Sequence, residues 1–442
     1  MVSGRKLASI FGDLARVNAR YVRDGGQRNR MREVLKRDGM TTSQRKIFDS
    51  EVRAASPRAL PYSGLASTSL TLASIAPRDD VPAHLNLLIG EVRENAMFAG
   101  IHTAITVARE LAGRLGLPLR VIMLDFTTVG NDQEKAARFI AARFDLPQVS
   151  VVARENIRDA RIATQDVWLA THSKTAHAAQ VACASGLIDP VRVVYLIQDY
   201  EPGFSPWSTE SVVAAATYHA GFLPIVNSTP LWSYLTAQEG LDIGREFVVR
   251  PSFEEARLRD AAAARTTRST VRVLFYARPS KHRNLYQLGI SALRASVLEL
   301  GDDASSVEFF TAGEEHEEVQ LGGGCKLVAL GRLPWDRYFE FLSSTDVLLS
   351  LQQSPHPSHP PFDAAISGAT AVTNEFHDTR AGLHPRIVAV AADTASLASA
   401  LSHAIRSSAS AAPATYLPVA EGVLGHPLAE VVDRIAKSLD SR

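Results

Sequence analysis

The 442 residues are enough for two to three domains and a large core. A composition that is 46% hydrophobic and 21% charged excludes global disorder, and 47 Lys+Arg against 47 Asp+Glu gives no case for a dedicated nucleic-acid binder. The two cysteines, Cys183 and Cys325, exclude a disulfide framework or a cysteine-rich zinc site and suit a reducing compartment. No stretch reaches the roughly 18 consecutive apolar residues that predict a membrane span, and the N-terminus lacks the apolar core of a secretory signal. A cytoplasmic protein is therefore expected.

The even charge balance conceals an asymmetry. Residues 1–58 hold fourteen Lys/Arg and six Asp/Glu. Such an arm reads either as a solvated helical extension or as a surface drawn to anionic lipid head groups. Residues 58–82, rich in Pro, Ser, Thr and Ala, predict a linker. Short apolar strands alternating with helices follow. Strands are predicted at 84–90, 119–125, 149–153, 166–170, 191–198, 222–226 and 247–250, and helices at 97–115, 132–144, 173–185, 210–219 and 230–239. Residues 255–270, rich in Ala, Arg and Thr, read as a connector, after which the pattern restarts. Strands are expected at 271–277, 307–312, 327–330, 347–351, 371–374 and 387–390. Helices are expected at 285–300, 335–343, 394–407 and 427–439, with a helix start at 362–367.

This rhythm predicts two doubly wound α/β domains, each a parallel sheet covered on both faces. The expected division is a basic helical extension and linker (1–80), a first domain (81–265), a second (266–415), and a C-terminal segment (416–442) that packs back on the first.

Ligands of such sheets lie beyond the carboxyl ends of the strands, so the loops there are the candidates. Gly100, between the first strand and helix, would let backbone amides approach a phosphate, or is an ordinary turn. Arg278, Lys281 and Arg283 leave the strand at 271–277 and suit an anionic ligand, Arg offering a planar fork to phosphate oxygens. The proline-rich loop 354–363 should leave the amides of Ser358 and His359 free for an anion. Asp363, in the first turn beyond, could bind sugar hydroxyls or simply complement the helix dipole. Proline-rich spacing argues against His356, His359 and Asp363 converging on a metal. Asp199 and Glu201 leave another strand end, where they could orient a hydroxyl nucleophile or act as a base; otherwise they are loop and cap residues. His172, just past the strand at 166–170, could bond a sugar hydroxyl or be structural. Neither a G-x-G-x-x-G nor a P-loop pattern occurs, which disfavours dinucleotide enzymes such as epimerases.

Three segments resemble a known family. Residues 193–210 (VVYLIQDYEPGFSPWSTE), 274–289 (LFYARPSKHRNLYQLG) and 349–374 (LSLQQSPHPSHPPFDAAISGATAVTN) are similar to family 4 glycosyltransferases, and within them to bacterial surface-glycan rhamnosyltransferases of the WsaF or rhamnan-synthesis type. The resemblance covers about residues 84–440. It implies the GT-B fold, with an acceptor domain facing a donor domain across a cleft. It also implies retaining transfer of a deoxysugar, rhamnose from dTDP-rhamnose, to a glycan acceptor that can be lipid-linked. Neither metal nor other cofactor is implied. Family members set an Arg and a cation five positions later against the donor diphosphate, which maps to Arg278 and Arg283. The phosphate-holding turn maps to Ser358-His359-Pro360, the ribose-binding carboxylate to Asp363, and the base-contacting backbone to the vicinity of Gly331 and Leu333. Two departures stand out. Pro355 occupies the position of a sugar-contacting glutamate, and Ser358 that of the usual glycine. The resemblance leaves open transfer of another sugar (a hexose, mannose or galactofuranose) or a catalytically silent binding component of an envelope-glycan complex. It also implies work at the inner face of a membrane, where the basic arm would give a peripheral hold.

Overall fold

The computed structural model describes residues 68–92, 99–125 and 133–441. Residues 1–58, the basic arm, lie outside them. The first sheet contains β1 (Leu85–Ile89), β2 (Leu119–Met123), β3 (Ser150–Ala153), β4 (Val167–Ala170), β5 (Val193–Ile197), β6 (Leu223–Asn227) and β7 (Val248–Val249). Their order is β3-β2-β1-β4-β5-β6-β7, with every pairing parallel. Strands β1, β2, β4 and β5 are buried at every residue, as expected where helices cover both faces; their polar members Asn86 and Arg120 bond each other and Asp166. The helices of this half are α1 (Ala99–Leu115), α2 (Gln133–Phe144), α3 (Ser173–Ala184), α4 (Thr209–Tyr218) and α5 (Thr229–Gln238).

Helix α6 (Glu255–Ala263) precedes the second sheet, which comprises β8 (Val271–Ala277), β9 (Val307–Gly313), β10 (Val319–Gly322), β11 (Cys325–Ala329), β12 (Val347–Leu349), β13 (Thr370–Asn374) and β14 (Ile387–Val390). Its order is β10-β11-β9-β8-β12-β13-β14. Apart from the antiparallel edge pair β10–β11, all pairings are parallel. The helices here are α7 (Tyr286–Leu300), α8 (Trp335–Ser343), α9 (Pro360–Ile366) and α10 (Thr394–Ala409). Both sheets start in the middle and reverse direction beside their first strand. The switch points lie between β1 and β4 and between β8 and β12, where Rossmann-like sheets bind ligands.

After α10 the chain returns to the first half. His426 pairs with the β7 edge through His426 N–H to Val248 O (2.8 Å) and Arg250 N–H to His426 O (2.9 Å). Gly425 makes this approach possible. Its φ is +127°, and a Cβ there would lie 2.7 Å from Val248 O. Helix α11 (Leu428–Asp440) then buries Val431, Val432 and Ile435 in the first core, against α1.

Two readings of the sequence need correction. The segment read as a connector contains α6, because Leu258, Ala261 and Ala262 form one apolar helical face; Leu258 joins Phe339, Leu342 and Phe362 in the core of the second half. The end of the expected linker is part of the first domain. Leu72 and Ile75, set among small polar residues, are buried with Ile122 and Trp168. The antiparallel edge strand β10 and the short helical turn Glu201–Phe204 had no counterpart in the sequence reading.

Candidate functional site

The loops beyond the carboxyl ends of the two sheets meet. Ser354, after β12, donates its hydroxyl to Asp199, after β5. The Arg283 guanidinium, after β8, lies 4.1 Å from the centre of the Phe204 ring, after β5. Tyr234 on α5 contacts Phe376 and His377, after β13, at centroid distances of 5.4 and 5.3 Å.

On the second half, Arg278 is half-buried with its Nε 3.7 Å from Glu314. Glu314 also receives the Ser280 amide (2.9 Å) and hydroxyl (2.7 Å), which folds the loop back on β9. Burial pushes the Arg283 guanidinium below its ordinary range, with the Asp199 charge opposing. Its buried Nε has no hydrogen-bond partner. The backbone around Arg283 is fixed. Its carbonyl accepts Gln353 N–H at 2.6 Å, and Asn284 donates to Gln352 Oε1 at 2.7 Å, tying the loop after β8 to the loop after β12 across the switch point.

The proline-rich loop does not present two free amides. Ser358 has φ +70°, which turns its N–H onto His356 Nδ1 at 3.1 Å. The reversal falls on Ser358, while His359, although it precedes Pro360, is already in the right-handed helical region. His359 is the N-cap of α9, with no side-chain capping bond, and its ring lies 5.4 Å from that of Phe253. Burial pushes both His356 and His359 down to about 4, so both are neutral near pH 7. Asp363 is buried and accepts the Tyr338 hydroxyl at 3.2 Å. Burial pushes its carboxyl up to about 7, against the Tyr338 bond. Gly331, after β11, has φ +64° and accepts Gly313 N–H at 3.0 Å; a Cβ there would lie 2.9 Å from Glu315 Cγ. Leu333 is half-buried against the second core.

On the first half, Asp199 also accepts Tyr200 N–H at 2.8 Å. Burial raises its carboxyl, with the Ser354 bond and the Arg283 charge opposing. Glu201 turns the other way. It is buried, accepts the Ser173 amide at the start of α3 and stands 3.3 Å from His172 Nδ1. His172 is the α3 N-cap, its ring accepting Lys174 N–H at 3.2 Å. Glu201 and His172 thus stabilise a helix N-terminus, while Asp199 reaches the second half. Gly100 is no strand-to-helix loop. It lies in the first turn of α1, and a Cβ there would have an ordinary 3.6 Å contact with Gln198.

Sequence reasoning missed Arg380. Its side chain is 1% exposed, deep beneath the loop after β12. It donates to Thr373 Oγ1 (3.1 Å), Asn374 Oδ1 (3.0 Å), Gln352 O (2.6 Å) and the carbonyls of Asn374 and Ser354. The strand-end rule that exposed Arg278 applies equally after β13. A lone Arg among polar residues nevertheless reads as solvated. Tyr338 was missed because its partner Asp363 is distant in sequence. Among the described residues, no group of three or more His, Cys, Asp or Glu is arranged to hold a metal ion.

Comparison with known proteins bears on the family and the fold. Residues 84–229 match the family described as WsaF, N-terminal domain, and residues 271–402 match WsaF, C-terminal domain. The O-antigen biosynthesis protein RfbC of Myxococcus xanthus is 30% identical over 280 residues, which is 63% of this chain and 21% of that protein. The chain thus spans about a fifth of the length of that curated relative. The crystal structure of Anabaena Alr3699/HepE in complex with UDP and glucose aligns with TM-score 0.50 and 13% identity, covering 81% of this chain and 100% of that one. This likeness is one of fold.

Proposed function

The chain belongs to the WsaF family of GT-B glycosyltransferases, and from that premise we propose that it moves a sugar from a nucleotide-activated donor onto a glycan acceptor in surface-polysaccharide assembly. The donor we assign is a deoxysugar nucleotide, dTDP-rhamnose, transferred with retention. One observation carries the reading. Arg278 and Arg283 leave the end of β8 at the switch point of the second sheet, and Arg283 there meets the Asp199–Phe204 loop of the first. A cationic strand end facing a carboxylate-bearing loop suits a diphosphate on one side and an attacking hydroxyl on the other.

In this scheme the negative charge that develops on the departing diphosphate is met by the Arg278 and Arg283 guanidiniums, which are fixed before the reaction and so need little reorganisation. These residues supply the positive charge, and no metal is assigned to the step. The Asp363–Tyr338 pair faces the ribose hydroxyls. Backbone near Gly331 and Leu333 lies against the base. Asp199 accepts a hydrogen bond from the acceptor hydroxyl and orients it. No protein nucleophile is assigned.

The acceptor we assign is lipid-linked, and residues 1–58 give a peripheral, salt-sensitive hold on an anionic membrane at its cytoplasmic face. Among the described residues no helix is long and apolar enough to cross a membrane. The donor assignment is tested by thermal shift against a panel of nucleotide sugars. dTDP-rhamnose should raise Tm more than UDP-glucose or GDP-mannose at equal concentration. A larger shift with either competitor would reassign the sugar, and no shift with any would overturn the donor site.

A further inference from the structure

The Arg380 side chain is the largest among those that are essentially fully buried, yet it belongs to neither hydrophobic core. Its guanidinium spends its hydrogen bonds on one task. One nitrogen holds the end of β13 through Thr373 and Asn374, and the other holds the carbonyls of Gln352 and Ser354. Asn374 completes the lock, accepting Gln352 N–H at 2.8 Å and donating to Gln352 O at 3.1 Å. The Arg380 backbone is pinned in turn, its N–H donating to Glu375 Oε1 at 3.0 Å. Four hydrogen bonds, two from Arg380 and two with Asn374, therefore hold the three-residue turn at the switch point. The side chain that this turn directs to the other half is the buried Ser354, whose hydroxyl meets Asp199.

We propose that Arg380 is a positioning residue for the transfer reaction: it fixes the 352–354 turn so that Ser354 holds Asp199 in place across the cleft. The inference rests on the reading of Asp199 as the group that orients the acceptor hydroxyl. A buried cation that merely filled space could be replaced by apolar side chains, and burial of an arginine is costly unless its donors are used. Here one terminal nitrogen grips the end of β13 and the other the carbonyls of Gln352 and Ser354, while Nε has no hydrogen-bond partner and the charges of Glu375 and Asp199 favour the cation. The charged groups facing Asp199 are Arg283, from the loop after β8, and Arg380 itself; the Tyr218 hydroxyl, from α4, bonds the Asp199 carbonyl at 3.1 Å.

The test uses the full chain with Arg380→Lys, Arg380→Gln, Ser354→Ala and the Arg380→Gln/Ser354→Ala pair. With dTDP-rhamnose and an octyl rhamnoside, kcat should fall at least tenfold in Arg380→Gln and Ser354→Ala while donor KM moves less than threefold. The double variant should be no worse than the poorer single, as for two residues acting through one contact. Lys should restore part of the loss. Additive losses, or a rise in KM without loss of kcat, would overturn the proposal. Amide hydrogen exchange provides a readout that needs no activity. Ser354→Ala and Arg380→Lys should each speed exchange in residues 199–204, on the opposite half, by several-fold. Loosening confined to residues 352–356 would leave Arg380 a local staple and contradict the inference. A wild-type protein that transfers no sugar would reject the functional reading instead, with the exchange result still deciding the role of Arg380. Ser354→Ala removes one oxygen and guards against failure of the arginine variants to fold.

Discussion

The Arg283 guanidinium rests 4.1 Å from the centre of the Phe204 ring, so a cation of the second half lies against an aromatic ring of the first. Its Nε has no hydrogen-bond partner, and its Asp199 neighbour lies on the same opposing loop. The residue is held in place by stacking and charge rather than by a saturated hydrogen-bond set. That arrangement suits the diphosphate contact proposed for it.

Arg283→Ala and Arg278→Ala should each reduce kcat/KM for the nucleotide sugar by at least a hundredfold, about 2.7 kcal/mol of lost transition-state stabilisation. Neither should unfold the protein. The Arg278 ion pair with Glu314 is partly exposed, and a cation–π contact contributes about 0.5–2 kcal/mol. Steady-state kinetics alongside thermal unfolding checks both. Near-wild-type kinetics in the two variants would remove the cations from the reaction.

Asp363 makes a prediction about pH. Its carboxyl is pushed up to about 7 by burial, against an ordinary value of 3.8, so the fold favours the protonated form. Between about pH 4 and 7 the unfolded chain ionises and the folded one does not. Stability is therefore lost as pH rises through this window, with a slope of at most about 1.4 kcal/mol per pH unit, and levels off above it. Asp363→Asn removes the titration and keeps a partner for Tyr338. Its Tm relative to wild type should climb from pH 4 to 7 and then stay level. A pH-independent difference would show an ordinary carboxyl.

Helix α11 should be essential to the first half although it is the last element of the chain. Ile435 is fully buried in the core built around β1 and α1. Ile435→Ala should cost about 2–5 kcal/mol in denaturant unfolding. A change below about 0.5 kcal/mol, the range of ordinary surface substitutions, would mean that α11 is dispensable.

The basic arm should act through charge alone. The full chain should sediment with vesicles containing anionic lipid at low salt and release as the Debye length shrinks from about 10 Å at 0.1 M to about 3 Å at 1 M. A chain starting at Arg58 should stay in the supernatant throughout. Equal sedimentation of the two would make the arm a structural extension.

The parallel strands were legible because strands buried on both faces are mostly apolar: 193–197 is so throughout, 85–89 but for Asn86 and 271–277 but for Arg272. Helix α6 was not, because three small or apolar residues in an Arg- and Thr-rich stretch give too weak a periodicity; only packing against Phe339 and Phe362 makes it a helix. The strand-end rule marked Arg278, Arg283 and Asp199 in advance. It could not separate Asp199 from Glu201, two positions away, because the choice between reaching Ser354 and capping α3 is made by the path of the turn Glu201–Phe204. Arg380 and Tyr338 were hidden for a related reason. Their partners lie on segments brought together only by the sheet, at Ser354 and Asp363.

The most direct measurement is transfer itself: purified full-length protein, dTDP-rhamnose and an octyl rhamnoside acceptor, the product followed by mass and its new linkage by NMR. One added deoxyhexose, in the same anomeric configuration as the donor and absent with Arg283→Ala, is the expected result. Inverted configuration would contradict retention. Turnover unaffected by Arg283→Ala, or no product from any nucleotide sugar in the panel with either this acceptor or a lipid-linked glycan, would contradict the central claim.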